Sequence, residues 1–280
     1  MEQLLQALLL GLVQGLTEFL PVSSSAHLRL VGLFFPNGDA AGEFDPGATF
    51  TAITQLGTEL AVLIYFRKDI TRILVQWTRG VTGKIPRTDP DVRMGWLVII
   101  GTVPIVLAGY FFQDAIRSTF RSLWIVAIVL IAFGLLLGVA DRLGRKELRF
   151  EEMSYRDGIL VGVAQMLALV PGVSRSGATT TAALSLGYTR PAAARFSFLL
   201  AVPAVFGSGL YELQQSFEEP GPYSLGLTLA ATVVAFVVGF VVIAFFMRYI
   251  SRRSFAPFVA YRIVLGVVLL VLLSLGVISA

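Results

Sequence analysis

Two stretches of apolar sequence are broken at their centres by nearly the same polar run, and that repeated interruption restricts the chain to folds in which two polar loops meet inside an apolar body. The first reads Gly11-Leu12-Val13-Gln14 and then Val22-Ser23-Ser24-Ser25-Ala26; the second reads Gly162-Val163-Ala164-Gln165 and then Val173-Ser174-Arg175-Ser176-Gly177. An offset of 151 residues, Gln14 to Gln165 and Ser23 to Ser174, superimposes the two runs. Hydroxyls, a carboxylate (Glu18), the only histidine (His27) and Arg175 therefore sit in or beside two short loops flanked by membrane-grade hydrophobicity. Polar groups in lipid are costly, so such loops point to a paired site.

The chain is 56% hydrophobic and 14% charged, with a mean hydropathy of +0.78; a soluble domain carries about a quarter charged residues. Segments 50–66, 95–113, 122–140, 191–211, 224–247 and 255–276 approach or exceed the ~20 residues that cross a bilayer. Segments 2–35 and 158–188 are apolar but interrupted, and each limb is too short to cross comfortably. Irregular backbone at that depth is tolerated only when buried in protein or lining a wet cavity. The expectation is an all-α polytopic membrane protein, one integral membrane domain over 1–280, with about six transmembrane helices and two re-entrant helix–loop–helix hairpins. No basic region precedes the N-terminal apolar run, so it is not read as a signal peptide. Zero cysteines exclude disulfides and thiolate chemistry, and one histidine without cysteine does not furnish a zinc site.

The charges orient the chain. Segments 67–93, 141–157 and 248–253 hold fifteen basic residues, whereas 36–49 (Asp39, Glu43, Asp45), 114–121 (Arg117, Arg121) and 212–223 (Glu212, Glu218, Glu219) hold two. The first group is expected in the cytoplasm. The net charge of +4 is then a topology signal, and nucleic acid is not an expected partner. This orientation sends the first hairpin in from outside and the second from the cytoplasm, an inverted-topology repeat with halves at about 1–140 and 155–280. Thr102-Val103 with Gly109 recurs as Thr232-Val233 with Gly239, a weaker echo at an offset of 130. Inverted repeats place sites near the midplane, where broken helices meet.

Gln14 and Glu18 are four apart and share a helical face just before Pro21. They form either an interfacial polar face or a carboxylate held over a cavity, able to bind a hard divalent cation (Mg²⁺ or Ca²⁺) or move a proton. Ser23, Ser24 and Ser25 precede the second limb and suit both helix capping and anion binding at a helix N-terminus. His27 is either structural or a proton-transfer group. Arg175, flanked by Gly172 and Gly177, either clamps phosphate oxygens or forms an ion pair with Glu18; Ser174, Ser176 and Thr179 add hydroxyls. Glu59 and Arg262 are mid-span charges that function or an internal ion pair would explain, and Arg195 is expected to snorkel.

At these residues the chain resembles a known family. Gln14-Gly15-Leu16-Thr17-Glu18-Phe19-Leu20-Pro21-Val22-Ser23-Ser24-Ser25-Ala26-His27 is similar to the first signature of the undecaprenyl-diphosphate phosphatase (bacitracin-resistance protein) family: Glu or Gln, three residues, Glu, then Phe-Leu-Pro-Val/Ile-Ser-Ser. Pro171-Gly172-Val173-Ser174-Arg175-Ser176-Gly177-Ala178-Thr179 resembles its second signature, and Phe196–Pro203 and Tyr261-Arg262 resemble further family segments. The resemblance implies hydrolysis of a polyprenyl diphosphate to its monophosphate at the outer face of the bacterial cytoplasmic membrane. That reaction recycles the lipid carrier for cell-wall synthesis and confers bacitracin resistance. It also implies a divalent cation (Mg²⁺ or Ca²⁺), a membrane-lipid environment and a homodimer. By motif position, Glu18, Ser24, His27 and Arg175 are the implied catalytic residues. Ser23, Ser25, Ser174, Ser176 and Thr179 are then substrate-binding, and Gln14 with Glu18 holds the metal. Two departures stand out: Gln14 is neutral where many members have Glu, and Ala26 replaces a frequent Gly. Glu59 falls where an apolar residue is usual.

On this reading Arg175 holds the diphosphate, Glu18 with Gln14 positions the cation, and His27 takes or gives the proton. The nucleophile stays open among Ser24, His27 and water. The competing class is a secondary transporter or lipid flippase, which also shows inverted repeats and midplane charge; phosphate release without a gradient separates the two. A structural scaffold would leave both polar loops unexplained.

Overall fold

A backbone surrounded by lipid must satisfy its own N–H and C=O groups, so long apolar runs become helices. The computed structural model describes residues 1–35, 47–112, 122–217 and 221–278. Among them the α-helices are α1 (Glu2–Thr17), α2 (Ser24–Gly32), α3 (Ala48–Tyr65), α4 (Arg67–Val81), α5 (Pro90–Phe111), α6 (Leu123–Leu143), α7 (Tyr155–Met166), α8 (Arg175–Ser185), α9 (Arg190–Gln215), α10 (Leu225–Ile250) and α11 (Ala256–Ser274). Helices α5, α6, α9, α10 and α11 are each long and apolar enough to span a membrane, and the α3–α4 pair, bent by 77°, would make a sixth. The protein is an all-α polytopic membrane protein.

The interrupted segments form two pairs of short helices, α1–α2 and α7–α8, and none of the four exceeds 16 residues. At 1.5 Å per residue each limb falls short of a ~30 Å hydrocarbon core. Packing follows the sequence echo. Helix α1 lies against α10 as α7 lies against α5, and α3 meets α10 as α9 meets α5. Small residues let these backbones approach. Gly11 abuts the Ala231 backbone, and at the matching crossing a Cβ on Gly162 would stand 2.5 Å from the Gly101 carbonyl oxygen.

The basic segments gather at one end. There Arg195 Nη2 lies 2.5 Å from Asp69 and its Nη1 3.5 Å from Glu151, while Arg93 donates to the Glu151 carbonyl at 2.7 Å. Asp141 receives Arg190 at 2.5 Å and the Phe255 backbone N–H at 2.9 Å. At the other end Thr49 donates to Glu212 at 2.8 Å, and the Phe50 and Tyr223 rings meet at 4.8 Å. Asp39, Glu43, Asp45, Arg117, Arg121, Glu218 and Glu219 lie outside the described residues.

Two expectations are corrected. Residues 67–93 are not simply a charged loop: α4 occupies their first half, because Ile70, Ile73 and Trp77 recur at helical spacing. That face packs on α5, where Trp77 meets Gly95 and stands edge-on to Trp96 at 5.4 Å. Arg195 does not snorkel freely; Asp69 holds it, and its guanidinium lies 4.1 Å over the Phe150 ring.

Candidate active site

The loops begin where two serines end the irregular backbone. Ser23 and Ser174 both adopt left-handed conformations, φ 74° and 70°, and each caps the helix that follows. Ser23 Oγ accepts from the Ala26 N–H at 3.5 Å, and Ser174 Oγ from the Gly177 N–H at 3.2 Å. Capping, the expected structural role, is thus filled by one serine in each loop. The neighbouring hydroxyls are left for other work.

Glu18 follows α1 in helical conformation, so Gln14 stands one turn below it. Its carboxylate collects three donors. Gln14 Nε2 and Ser24 Oγ both reach Oε2 at 2.7 Å, and Arg175 Nη2 reaches Oε1 at 2.7 Å. The ion pair expected between Glu18 and Arg175 is present, and it joins the two loops across 157 residues of sequence. Arg175 Nη2 also lies 3.5 Å from Glu59 Oε2 on α3, and Nη1 lies 3.5 Å from the Ala201 carbonyl on α9. Glu59, unexplained by the sequence, is therefore a member of this cluster.

His27 lies one turn beyond Ser24 on α2. Its Nδ1 is 2.7 Å from the Ser23 carbonyl, which can only accept, so Nδ1 carries the hydrogen. In the neutral ring Nε2 then accepts the Tyr261 O–H at 2.6 Å, and the two rings stack with 13° between planes. The sequence gives Tyr261 no role beyond its place in a motif, because its partner is 234 residues away.

Arg262 is fully buried, and of the two readings open for it, a functional role or an internal ion pair, the second is not met: its guanidinium bonds backbone. Nε donates to the Leu130 carbonyl at 3.2 Å, Nη1 to those of Pro21 and Val173 at 3.0 Å each, and Nη2 to Gly172 at 2.8 Å. One guanidinium thereby ties both loops together.

The remaining hydroxyls divide by depth. Ser25 is exposed and Ser24 partly so, whereas Ser23, Ser174, Ser176 and Thr179 are buried. Ser176 bonds the Leu20 carbonyl at 3.3 Å, and Thr179 bonds the Arg175 carbonyl at 2.8 Å and Ser197 at 2.5 Å. Phe198, next to Ser197, meets Phe19 edge-on at 5.4 Å and fixes the residue beside Glu18. The mouth is thus Ser24, Ser25, His27, Tyr261 and Arg175; the floor is Gln14, Glu18 and Glu59.

Among the described residues no trio of His, Cys, Asp or Glu is placed to hold a metal. The floor does offer oxygen donors, which suit a hard cation. Gln14 Oε1 and Glu59 Oε1 are buried without a hydrogen-bond partner, so the donor set fits such an ion.

The sequence profile described as bacitracin resistance protein BacA matches residues 7–268. The chain is 66% identical over 276 residues, 99% of each chain, to a Clavibacter michiganensis subsp. michiganensis protein named undecaprenyl-diphosphatase. It is 62% identical over 279 residues, 99% of each chain, to a Micrococcus luteus protein of the same name. A Streptomyces coelicolor protein named undecaprenyl-diphosphatase 2 is 56% identical over 288 residues, 98% of this chain and 96% of the relative. Two polar loops joined by Glu18 and Arg175, and likeness along almost the whole chain, lead to one conclusion: this protein belongs to the bacitracin resistance protein BacA family.

Proposed function

We propose that the protein hydrolyses undecaprenyl diphosphate to undecaprenyl monophosphate and inorganic phosphate. The observation that carries the reading is Arg175, 16% exposed, reaching from the second loop to the Glu18 carboxylate that also receives Ser24. An arginine at membrane depth is expensive unless it meets anions, and its planar fork suits phosphate oxygens. The relatives named for this activity supply the substrate.

Phosphoryl transfer needs positioning and neutralised charge more than covalent chemistry. Arg175 draws the diphosphate to the mouth. Attack on the terminal phosphorus breaks the anhydride bond and releases the lipid monophosphate. Ser24, or a water in its place, is the favoured nucleophile, because Ser24 Oγ already donates to Glu18 Oε2, which is set to take the proton. Attack by Ser24 leaves a phosphoserine that water then hydrolyses to inorganic phosphate and free Ser24, whereas attack by water gives inorganic phosphate directly. His27 is less suited to attack, since Tyr261 covers Nε2; it is better placed to pass a proton. Ser23, Ser174, Ser176 and Thr179 shape the loops from below, and the exposed Ser25, whose hydroxyl lies 3.1 Å from Ser23 Oγ, is placed to meet a phosphate oxygen. A divalent cation held by Glu18 and Gln14 would neutralise charge on the diphosphate when bound. By the charge rule the first loop opens to the exterior of the bacterial cytoplasmic membrane, where hydrolysis would recycle the carrier for cell-wall synthesis and counter bacitracin.

The test is phosphate release from undecaprenyl diphosphate by purified protein in detergent, with and without EDTA. Release that needs a divalent cation and falls at least a hundredfold in Arg175→Ala is the expected result. Folded protein that releases no phosphate with Mg²⁺, Ca²⁺ or Mn²⁺ would overturn the reading in favour of lipid-phosphate transport.

A further inference from the structure

We propose that Glu59 is the second carboxylate of the cation site, holding one divalent ion together with Glu18 and the Gln14 amide oxygen. The inference rests on the phosphatase reading and adds a ligand from α3, a helix outside both hairpins. Three observations carry it.

The first is charge. Glu18 and Glu59 share a single guanidinium, and that of Arg175 is committed to Glu18 at 2.7 Å against 3.5 Å for Glu59. The nearby Arg262 spends its donors on carbonyls and pairs with neither carboxylate. With both carboxylates ionised the floor would carry one negative charge in excess, and Glu59 is 0% exposed. A buried charge without a counter-charge is costly, and an excess negative charge repels the diphosphate the mouth must admit.

The second is unmet valence. Glu59 Oε1 and Gln14 Oε1 are buried acceptors without a donor. Both belong to side chains that adjoin the Glu18–Arg175 pair, through Gln14 Nε2 on Glu18 and Glu59 Oε2 on Arg175. The third is donor type. Every free group here is an oxygen, as a hard cation requires. Because Gln14 is neutral, a second carboxylate must come from another element, and α3 supplies it. A divalent ion would turn the excess from negative to positive and satisfy both orphaned oxygens.

The experiment is Mn²⁺ titration of the full-length protein in detergent, read by the loss of the free-ion EPR signal, with thermal unfolding alongside. Wild type should bind one Mn²⁺ per chain and unfold at higher temperature when loaded. Glu59→Gln should bind at least tenfold more weakly, yet unfold no earlier than wild type without metal, because glutamine keeps the side chain's shape and removes a buried carboxyl. The double variant Gln14→Glu/Glu59→Gln should regain affinity, since it returns the carboxylate to the neighbouring ligand. Should the single variant not fold, the double variant carries the test, with recovered binding in support and persistent loss against. Unchanged Mn²⁺ affinity in Glu59→Gln, or no binding by wild type, would overturn the proposal. Undiminished phosphate release with those results would leave the phosphatase reading standing, while Mn²⁺ binding without release would remove that reading and keep the cation site.

Discussion

Glu18 is the residue on which the site converges, since an amide, a hydroxyl and a guanidinium all end on its two oxygens. That convergence is legible in the chain itself. The spacing of Gln14 and Glu18 and the polar loop beside them set a carboxylate against hydroxyls. Arg175 needs an anion, and Glu18 is the nearest in kind. The roles of Glu59 and Tyr261 are not legible in the same way, because their partners lie 116 and 234 residues away. A charge in mid-span announces that something pairs with it and does not say what. Tyr261 is the simpler of the two to test. Tyr261→Phe keeps the ring stacked on His27 and removes one hydrogen bond, worth about 1 kcal/mol net. Phosphate release should fall about fivefold while the melting temperature stays near that of wild type, and unchanged release would remove Tyr261 from any role in proton transfer.

Helices are set by pattern, and loops by single backbone angles, so elements differ in how far sequence reveals them. The apolar spans fall within a few residues of α3, α5, α6, α9, α10 and α11, since lipid leaves no alternative to a helix. Helix α4 escapes a reading by hydrophobicity because its charges hide three apolar residues at helical spacing. The caps show what a single angle can do. Ser174 sits at φ 70° with its hydroxyl on the Gly177 N–H, so its backbone wants glycine and its side chain wants serine. Ser174→Ala keeps the strained angle and loses the cap, and unfolding should become easier by about 1 kcal/mol. Ser174→Gly loses the cap but relieves the angle and should be nearly neutral. If alanine were as stable as glycine in thermal unfolding, the angle would have no energetic role; if alanine were as stable as serine, the cap would have none.

At the scale of the molecule the two halves contribute unlike parts. The first loop brings Glu18, Ser24 and His27, the second brings Arg175, and neither holds both signs of charge. The offset of 151 residues conveys this division, but not the element that fastens the loops, because Arg262 bonds only carbonyls and every residue has one. Orientation can be checked on the same scale. The chain lacks cysteine, so Lys84→Cys and Gly221→Cys, both at exposed positions, each add a lone thiol. A membrane-impermeant maleimide should label Gly221→Cys on intact cells and Lys84→Cys only after permeabilisation; the opposite pattern would invert the assigned topology. Arg262 has a consequence in time as well. Protein is made from its N-terminus, so the carbonyls of Pro21, Gly172 and Val173 exist well before the group that gathers them. A ribosome that stalls before α11 leaves the two loops joined by the Glu18–Arg175 pair and the Ser176–Leu20 contact, without the guanidinium that gathers their carbonyls. A helix synthesised well after both loops is therefore the one that locks the first to the second, and a chain that stops short of Arg262 lacks that lock.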